Sequence, residues 1–426
     1  MVQNARGTRD FLPQDQIQRQ NLIGKLRKTF ESFGYSPLDT PALERFETLS
    51  AKYAGGEEIL NETFKLNDQG ERNLGLRYDL TVPLARVVAS HPDLKMPFKR
   101  YHIDKVWRDG PVSAGRYREF MQCDIDVIGS SSKAADAEMV QVIDKGFSEL
   151  GLNVEIRLNS VHVLNGIMSQ AGIPQEKRQT VILTLDKLAK SGEEAVRAEL
   201  KEKGVSVEQV NQLFELTNVS GSNAEKLNVL RERIHGTEEK RGLQEVHEIL
   251  GSLPELKNKV VFQPSLARGL SYYTGMIVET FLLDSKIESA VCSGGRYDGL
   301  IGAIAETGRE LPAVGVSFGI DRIFDAIQRH GARTVTQVLI IPINTEKYSQ
   351  ALATQLRVAS INTELAYEKG ISKSLDYANS LGIPFCVIVG EREISKNEVK
   401  LKNMVSGEEK FLSVNEVIDY IKSIQN

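Results

Sequence analysis

The chain of 426 residues has few of the features that mark secreted, zinc-binding or membrane-spanning proteins. Its three cysteines (Cys123, Cys292 and Cys386) are widely spaced and form no CxxC pair, which argues against a disulfide framework or a zinc site. No run of about 18 apolar residues occurs, so no membrane span is expected. The first residues, MVQNARGTRDFLPQD, lack the apolar core of a signal peptide. We therefore expect a cytoplasmic protein.

Sequence signatures of several nucleotide and metal sites are also missing. No GxxxxGKS or GxxxxGKT segment occurs, and the glycines of CSGGRYDG (292–299) lack the GxGxxG spacing of a dinucleotide fold. No HExxH segment occurs and the six histidines are scattered, so no metal site is predicted. The net charge of −4 argues against a basic field over the whole protein, although it permits a local basic face.

The order of strand-like and helix-like segments predicts two domains. Apolar residues at three- and four-residue steps predict a helix over 15–33, and β-type residues on both sides of a Gly- and Ser-containing loop predict two strands within 98–129. The charged segment at about 170–250 indicates a helical insertion, and strand-like segments resume at 259. We predict an α+β domain with a mostly antiparallel sheet over residues 1–330.

A second domain is predicted at 331–426. Strand-like VLIIPI and PFCVIVG alternate there with helical segments such as SKSLDYANSLG. This alternation is typical of a small sheet that is covered by helices. We therefore expect a compact α/β domain at this end of the chain.

Four arginines are candidate anion-binding residues. Arg108 and Arg116 flank a predicted hairpin turn, so both can point at one bound anion, and ordinary ion pairs on a solvated hairpin are the alternative. Arg268 lies in an apolar strand end, where an uncompensated charge is costly, so it should meet a carboxylate or a ligand anion. Arg322 begins an amphipathic helix, where a simple surface cation is the alternative.

Acidic and polar residues on two predicted strands could complete a ligand site. LRYDLTVP places Asp79 and Thr81 on one face of a short strand, and a carboxylate with a hydroxyl can hold a protonated amine. QCDIDVIG does the same for Gln122, Asp124 and Asp126, and a carboxylate near tyrosine hydroxyls can hold an imidazole N–H. Ordinary strand polarity on a solvated face is the alternative for each of these residues.

Two further segments point to close contacts. The glycines of CSGGRYDG, in a strand context, indicate the close approach of a ligand or of another backbone. Tyr272 and Tyr273 are adjacent, and neighbouring strand residues face opposite ways. Only one of the two tyrosines should therefore contact a ligand, unless the chain bends there.

Six segments together resemble the histidyl-tRNA synthetase family, in order and spacing, across nearly the whole chain. They are GTRDFLP (7–13), LRYDLTVP (76–83), VWRDGPVSAGRYREF (106–120), LARGLSYYTG (266–275), SGGRYDGL (293–300) and PAVGVSFGIDR (312–322). The third and the last resemble motifs 2 and 3 of class II aminoacyl-tRNA synthetases. The helix before Pro41, with the extended segment around it, resembles motif 1, the dimer-forming element.

The resemblance implies a role for each candidate residue. Arg108 would bind the α-phosphate of ATP and the carboxylate of histidine, and Arg268 would reach the same two groups, which makes these two the catalytic pair. The remaining ATP-binding residues would be Arg116 and Arg322 at the γ-phosphate end and Phe120 on adenine. The remaining histidine-binding residues would be Asp79 and Thr81 at the amino group, Gln122 and Asp126 at the substrate end of the pocket, and Tyr272 and Tyr273 around the imidazole.

The resemblance also implies an activity and partners. The protein would form histidyl-adenylate from L-histidine and ATP with Mg²⁺, then transfer histidine to the 3′ end of tRNA(His). Residues 331–426 would bind the anticodon, the helical insertion would contact the acceptor arm, and the protein would be a homodimer. Ser271 departs from the family, which usually has aspartate at this position.

Two alternatives are weighed against this interpretation. A non-catalytic paralogue, the regulatory subunit of ATP phosphoribosyltransferase, usually lacks the anticodon-binding unit and loses ATP-binding arginines. A tRNA-sensing binding module would be expected to lose the same arginines or to carry a fused effector domain. The chain retains all four arginines and has a C-terminal α/β segment, which favours the enzyme.

Overall fold

The computed structural model describes residues 2–50, 60–113, 115–270, 272–306, 310–327, 332–367 and 370–425, with the backbone alone for 237–239 and 425. The chain forms two compact units. One combines Met1–Arg9 with Leu22–Ile327, and the other combines Asp10–Asn21 with Gln328–Asn426. The functional domain assignment made from the sequence stays a prediction.

The first unit is built on two sheets. Its strands are β1 (Ser36–Pro37), β2 (Leu43–Arg45), β3 (Lys65–Asn67), β4 (Asn73–Leu76), β5 (Phe98–Trp107), β6 (Glu119–Ile128), β7 (Val154–Ser160), β8 (Val260–Phe262), β9 (Met276–Leu282), β10 (Cys292–Arg296) and β11 (Ala313–Gly319). The large sheet has the order β1-β5-β6-β11-β10-β9-β7-β8, and the small sheet has the order β2-β4-β3. The predicted strand pair within 98–129 is therefore confirmed as β5 and β6.

The large sheet is mixed, whereas the sequence predicted a mostly antiparallel one. Its inner pairings are antiparallel, but both edge pairings, β1 with β5 and β7 with β8, are parallel. Long segments separate the partners of each edge pair along the chain. Parallel neighbours need such crossovers, whereas antiparallel neighbours can be joined by short turns.

Helices α1 and α4 pack against one face of the large sheet. Those that precede residue 330 are α1 (Pro13–Ser32), α2 (Phe46–Leu49), α3 (Thr81–Ser90), α4 (Lys133–Glu149), α5 (Val161–Gln170), α6 (Gln175–Leu185), α7 (Leu188–Glu202), α8 (Val207–Thr217), α9 (Asn223–Arg233), α10 (Thr237–Gly251), α11 (Leu300–Ile304) and α12 (Ile320–Ala326). Phe318 of β11 packs between Phe30 of α1 and Phe147 of α4, with ring centroids 5.6 Å and 5.4 Å away. The opposite face of β6 and β11 carries the polar candidate residues.

The charged segment predicted to be helical lies between β7 and β8. Its described backbone from 161 to 251 contains helices α5 to α10 and no strand. Because β7 and β8 are adjacent in the sheet, this segment forms the crossover between two neighbouring strands. It begins at Val161, earlier than the predicted edge at about 170.

The second unit is an α/β fold. Its elements are β12 (Val338–Pro342), α13 (Glu346–Val358), β13 (Thr363–Leu365), α14 (Ile371–Leu381), β14 (Phe385–Val389), α15 (Glu391–Ser395), β15 (Val399–Asn403), β16 (Glu409–Leu412) and α16 (Val414–Gln425). The strand order is β13-β12-β14-β15-β16, parallel across the first three strands and antiparallel beyond them. The predicted alternation is confirmed, and β15, β16 and α15 were missed. No helix in the described parts of the chain is long and apolar enough to cross a membrane.

Candidate active site

The sequence predicted that Asp79 and Thr81 lie on a strand. In the structure Thr81 is the first residue of helix α3, and Asp79 lies just before that helix. The Asp79 carboxylate accepts from the backbone N–H groups of Thr81 (3.2 Å) and Val82 (3.0 Å), which have no partner within the helix. Pro83 suits a first helical turn, because that turn does not need its N–H. Both hydrogen bonds use Oδ1, and no donor to Oδ2 is found among the described residues. That oxygen is available to an ammonium group.

Arg108 follows strand β5 and lies beside Asp79. Its Nε donates to the Tyr78 carbonyl oxygen at 3.0 Å, and its guanidinium carbon lies 5.1 Å from the centre of the Phe120 ring on β6. Burial raises the pKa of Asp79, and the positive charge of Arg108 opposes that rise. Arg108 therefore lies between the buried Asp79 carboxylate and the Phe120 ring.

Arg116 lies on the hairpin between β5 and β6 and has an acidic partner. Its guanidinium bonds to Glu62 Oε1 at 2.6 Å, and 49% of its side chain is exposed. In this structure Arg116 therefore forms an ordinary ion pair on the hairpin, which was the alternative to an anion-binding role. Its charge still reaches the site, because it is among the cations that lower the pKa of Arg322.

Arg322, at the start of α12, has no acidic hydrogen-bond partner among the described residues. It donates to the backbone oxygens of Ala290 (2.8 Å) and Gly115 (3.3 Å). Burial lowers the pKa of its guanidinium, and the nearby charges of Arg108 and Arg268 lower it further. Arg322 therefore adds a cation beside other arginines without an ion pair of its own among the described residues, which favours a polyanionic ligand.

Arg268 lies in the loop between β8 and β9, not at a strand end as predicted. Buried Asn159 of β7 holds this loop by donating to the carbonyl oxygens of Pro264 (3.0 Å) and Leu266 (2.9 Å). Arg268 forms an ion pair with Glu279 of β9, and its buried Nε has no hydrogen-bond partner among the described residues. The expected carboxylate partner is therefore present. Ser271 lies outside the described residues.

The two tyrosines contact each other, which differs from the expectation for a strand. Their ring centroids are 4.8 Å apart because the chain turns at Tyr272. Tyr272 is buried against Tyr297, at 6.0 Å between centroids, whereas the Tyr273 ring centre lies 6.0 Å from the Arg268 guanidinium carbon. Tyr273 is thus the tyrosine next to the arginine site, and Tyr272 packs behind it.

Asp126 of β6 belongs to a buried network that the sequence did not reveal. It pairs with Arg100 at 2.7 Å and accepts a hydrogen bond from the Tyr297 hydroxyl. Gly315 lies opposite on β11, and a Cβ there would approach Asp126 Oδ1 to 1.8 Å. The Asp126 carboxylate can therefore fit only beside a glycine.

Gln122 and Asp124 occupy the same face of β6 as Asp126. Gln122 Nε2 donates to the Ser317 hydroxyl at 2.8 Å, while its buried Oε1 has no hydrogen-bond partner among the described residues. Burial raises the pKa of Asp124 to about 7, although Arg100 pulls it down. The predicted shared face is confirmed, and it is buried rather than solvated.

The sequence allowed the glycines of CSGGRYDG to lie close either to a ligand or to another backbone. The structure shows a close approach of other backbone segments. A Cβ on Gly294 would lie 2.1 Å from the Gly315 carbonyl oxygen, and one on Gly295 would lie 2.3 Å from that of Met276. The same Cβ on Gly295 would also lie 3.0 Å from Cδ1 of the Tyr273 ring. These glycines therefore let the strands and Tyr273 come together below the site.

Arg9 is a residue near the site that sequence reasoning missed. It bonds to Asp321 (2.7 Å) and Asp325 (2.9 Å) of α12 and lies 4.0 Å over the Tyr117 ring of the hairpin. It thereby joins the helix of Arg322 to the hairpin of Arg116. Its place inside the GTRDFLP segment was the available signal.

Comparisons with known proteins agree with this architecture. Residues 7–323 match the family model described as histidyl-tRNA synthetase, and residues 337–424 match the one described as anticodon binding domain. A catalytic unit joined to an anticodon-binding domain defines an aminoacyl-tRNA synthetase.

Individual relatives specify the family. Histidine–tRNA ligase 1 of Bacillus cereus is 42% identical over 419 residues, covering 96% of this chain and 94% of the relative. The crystal structure of histidyl-tRNA synthetase from Nostoc superposes with a TM-score of 0.86 at 30% identity, covering 99% of both chains. The chain belongs to the histidyl-tRNA synthetase family. The family and the enzyme class predicted from the sequence are therefore confirmed.

A third comparison bears on one of the alternatives. A structure from Bacillus halodurans, described as an ATP phosphoribosyltransferase regulatory subunit/histidyl-tRNA synthetase, has a TM-score of 0.77 at 24% identity and covers 89% of this chain. This likeness concerns the fold alone.

Proposed function

We propose that this protein activates L-histidine with ATP and then transfers histidine to the 3′ end of tRNA(His). The observation that carries the proposal is the gathering of arginines beside Asp79 and Tyr273, of which Arg108 and Arg322 form no ion pair with a carboxylate among the described residues. Arg322 is bonded to carbonyl oxygens only, and Arg108 and Arg268 both depress its pKa. A triphosphate with a carboxylate next to it supplies the negative charge that such a cluster lacks.

The first step joins histidine to the α-phosphate. A carboxylate oxygen of histidine attacks the α-phosphorus, the bond from that phosphorus to the bridging oxygen of the β-phosphate breaks, and diphosphate leaves with the electron pair. Arg108 and Arg268 stabilise the charge that grows on the phosphoryl oxygens, while Arg116 and Arg322 hold the γ end. Mg²⁺ enters with ATP, and adenine rests on Phe120.

The second step transfers the amino acid. A ribose hydroxyl at the tRNA 3′ end attacks the carbonyl carbon of histidyl-adenylate, the hydroxyl proton is released, and AMP leaves. Arg108 and Arg268 remain beside the phosphate of the leaving group, so the same fixed cations serve both steps.

Histidine would lie between α3 and the loop that carries the tyrosines. Its ammonium group would bind Asp79 Oδ2 and the Thr81 hydroxyl, and its carboxylate would face Arg108 and Arg268. The imidazole would contact Tyr273 directly, with Gln122 Oε1 as an acceptor within the pocket. Asp126, already paired with Arg100, would shape the far wall together with Tyr272 and Tyr297.

The remaining partners are proposed from the family. The C-terminal domain, residues 331–426, would bind the anticodon, and the helical crossover would contact the acceptor arm. Residues 1–330 would form the catalytic domain of class II type. A homodimer would form through α1 and the extended segment that follows it, and a cytoplasmic location stays a prediction.

ATP–diphosphate exchange with a panel of amino acids tests the activity. Exchange should depend on L-histidine and be absent with the other amino acids. Charging of tRNA(His) by the same preparation tests the second step. No histidine-dependent exchange would refute the enzymatic function and return the non-catalytic paralogue to consideration.

A further inference from the structure

The loop that carries Arg268 packs against the helical crossover. A small cavity separates them, lined on one side by Gln179 and Ile182 of α6 and on the other by Arg268 and Tyr273. Asn159 and Glu279 fix the loop and its arginine from the side of the sheet. The crossover therefore meets the proposed catalytic arginine from the side that the sheet leaves open.

Asp186 stands at this contact, directly after helix α6. It is the residue that caps the carboxyl end of α6. A carboxylate is unfavourable there, because the carboxyl end of a helix already carries partial negative charge. Helix formation thus gives no reason for an acid at this position.

The loop supplies the reason. A Cβ on Gly269 would lie only 3.1 Å from Asp186 Oδ2, so the carboxylate lies directly against the residue after Arg268. Burial raises the pKa of Asp186, while the charge of Arg268 and the Gly269 N–H favour its ionised form. The guanidinium of Arg268 therefore forms its ion pair with Glu279 of the sheet, while Asp186 of the crossover contacts the loop at the next residue, Gly269.

We propose that Asp186 is a positioning residue, which holds the Arg268 loop from the helical crossover and aims the guanidinium together with Glu279. This inference rests on the proposed function, since the aim of Arg268 matters only if it serves the reaction. It makes the placement of α6 a determinant of adenylate formation.

The rate of adenylate formation in a single turnover tests the role of Asp186. Asp186→Asn keeps the shape of the side chain and an oxygen for the Gly269 N–H, but it removes the charge that faces Arg268. We expect the single-turnover rate to fall about 10- to 100-fold with little change in KM for ATP or histidine, as for a misplaced transition-state contact. Glu193→Gln is the matched control, because Glu193 of α7 pairs with Arg197 at 2.6 Å, and it should leave the rate unchanged.

A double-mutant cycle separates positioning from general structural damage. In an Arg268→Ala background, Asp186→Asn should cause no further loss, because the guanidinium that it aims is gone. An equal loss in both backgrounds would overturn the proposal, as would a normal rate in Asp186→Asn alone. If the wild-type protein shows no histidine-dependent exchange, the proposed function fails instead.

A second substitution tests the same contact without changing charge. Gly269→Ala places a methyl group 3.1 Å from Asp186 Oδ2 and must displace the carboxylate or the loop. We expect a slower single turnover, again without further loss in the Arg268→Ala background. Unchanged turnover in folded Gly269→Ala, checked by thermal unfolding, would contradict the close approach on which the proposal depends.

Discussion

At the scale of the residue, Arg9 and Arg322 show opposite solutions for a cation near the site. Arg9 bonds to two carboxylates, whereas Arg322 bonds to carbonyl oxygens beside other arginines. We expect Arg9→Gln to destabilise the ligand-free protein by about 2 kcal/mol more than Arg322→Gln, because it leaves partly buried carboxylates without their cation. Urea unfolding of the two variants measures the difference.

The same two variants should rank in the opposite order when activity is measured at saturating substrate, with Arg322→Gln the more damaging change. Arg322→Gln should slow histidine-dependent exchange about 100-fold, as the loss of a fixed cation at a developing charge does. Arg9→Gln touches only the support of that site and should cost less. Greater instability of Arg322→Gln than of Arg9→Gln would contradict the interpretation of Arg322 as an unneutralised anion-binding residue.

Asp124 makes a prediction about pH. Burial raises its pKa to about 7 in the folded protein, above the range of an unfolded aspartate near 4. Between these values the folded state keeps a proton that the unfolded state has released, so this residue makes stability fall as pH rises. Asp124→Asn should therefore gain stability over the wild type across this window, by roughly 2–4 kcal/mol at its upper end.

Asp104 is the matched control for that pH dependence. It lies on β5, next to the strand of Asp124, but Arg77 and the Lys105 N–H hold its pKa below the usual range despite partial burial. Its stabilising effect is present at neutral pH and is lost as pH falls through the lowered pKa. Asp104→Asn should lose stability at neutral pH, with the loss shrinking toward acid. The same trend in both variants would contradict the assignment for Asp124.

At the scale of the element, the loop between β8 and β9 depends on one side chain. The Asn159 amide donates to two loop carbonyl oxygens, and an aspartate would face them with an acceptor. We expect Asn159→Asp to slow exchange at least tenfold and to expose the loop to trypsin at Arg268. Asn153→Asp, at an exposed site bonded to Asp284, should do neither. Intact trypsin resistance in Asn159→Asp would show that the loop has other supports.

Helices and strands could be predicted from the sequence where the apolar periodicity extended over many residues. The helix α1, the pair β5 and β6, and the strand-to-helix passage of β11 and α12 follow from apolar periodicity and turn residues. Short polar strands such as β16, EKFL, carry no such pattern. LRYDLTVP looks strand-like because of its composition, yet Asp79 satisfies two free N–H groups of a helix, and this tertiary choice outweighs local preference.

The candidate site residues could be named from the sequence, but the side chains that pair with them could not. The arginines follow from the charge pattern and the family resemblance. Their carboxylates, such as Glu62 for Arg116 and Glu279 for Arg268, are 54 and 11 positions away in sequence and are brought close only by the fold. No local spacing encodes such a pair. The paired Tyr272 and Tyr273 likewise depend on a turn, which the sequence left open as the exception to the strand interpretation.

At the scale of the whole molecule, each of the two units has its own core. In the second unit Val338, Val387 and Leu401 from adjacent strands pack with Leu352 and Leu356 of α13. All proposed substrate contacts for activation lie in the first unit. Calorimetry should therefore resolve two unfolding transitions, of which only one responds to ligands of the active site.

L-histidinol with ATP supplies the test, because this analogue lacks the reacting carboxylate. At ligand concentrations about 100 times Kd, linkage stabilises the first unit by about 2.7 kcal/mol and raises its transition by a few degrees, while the second transition stays in place. Val387→Ala opens a cavity in the core of the second unit. It should lower only the unfolding temperature of the second unit. If both changes move a single cooperative transition, the units do not unfold independently, and the activation site cannot be assigned to one unit by its stability alone.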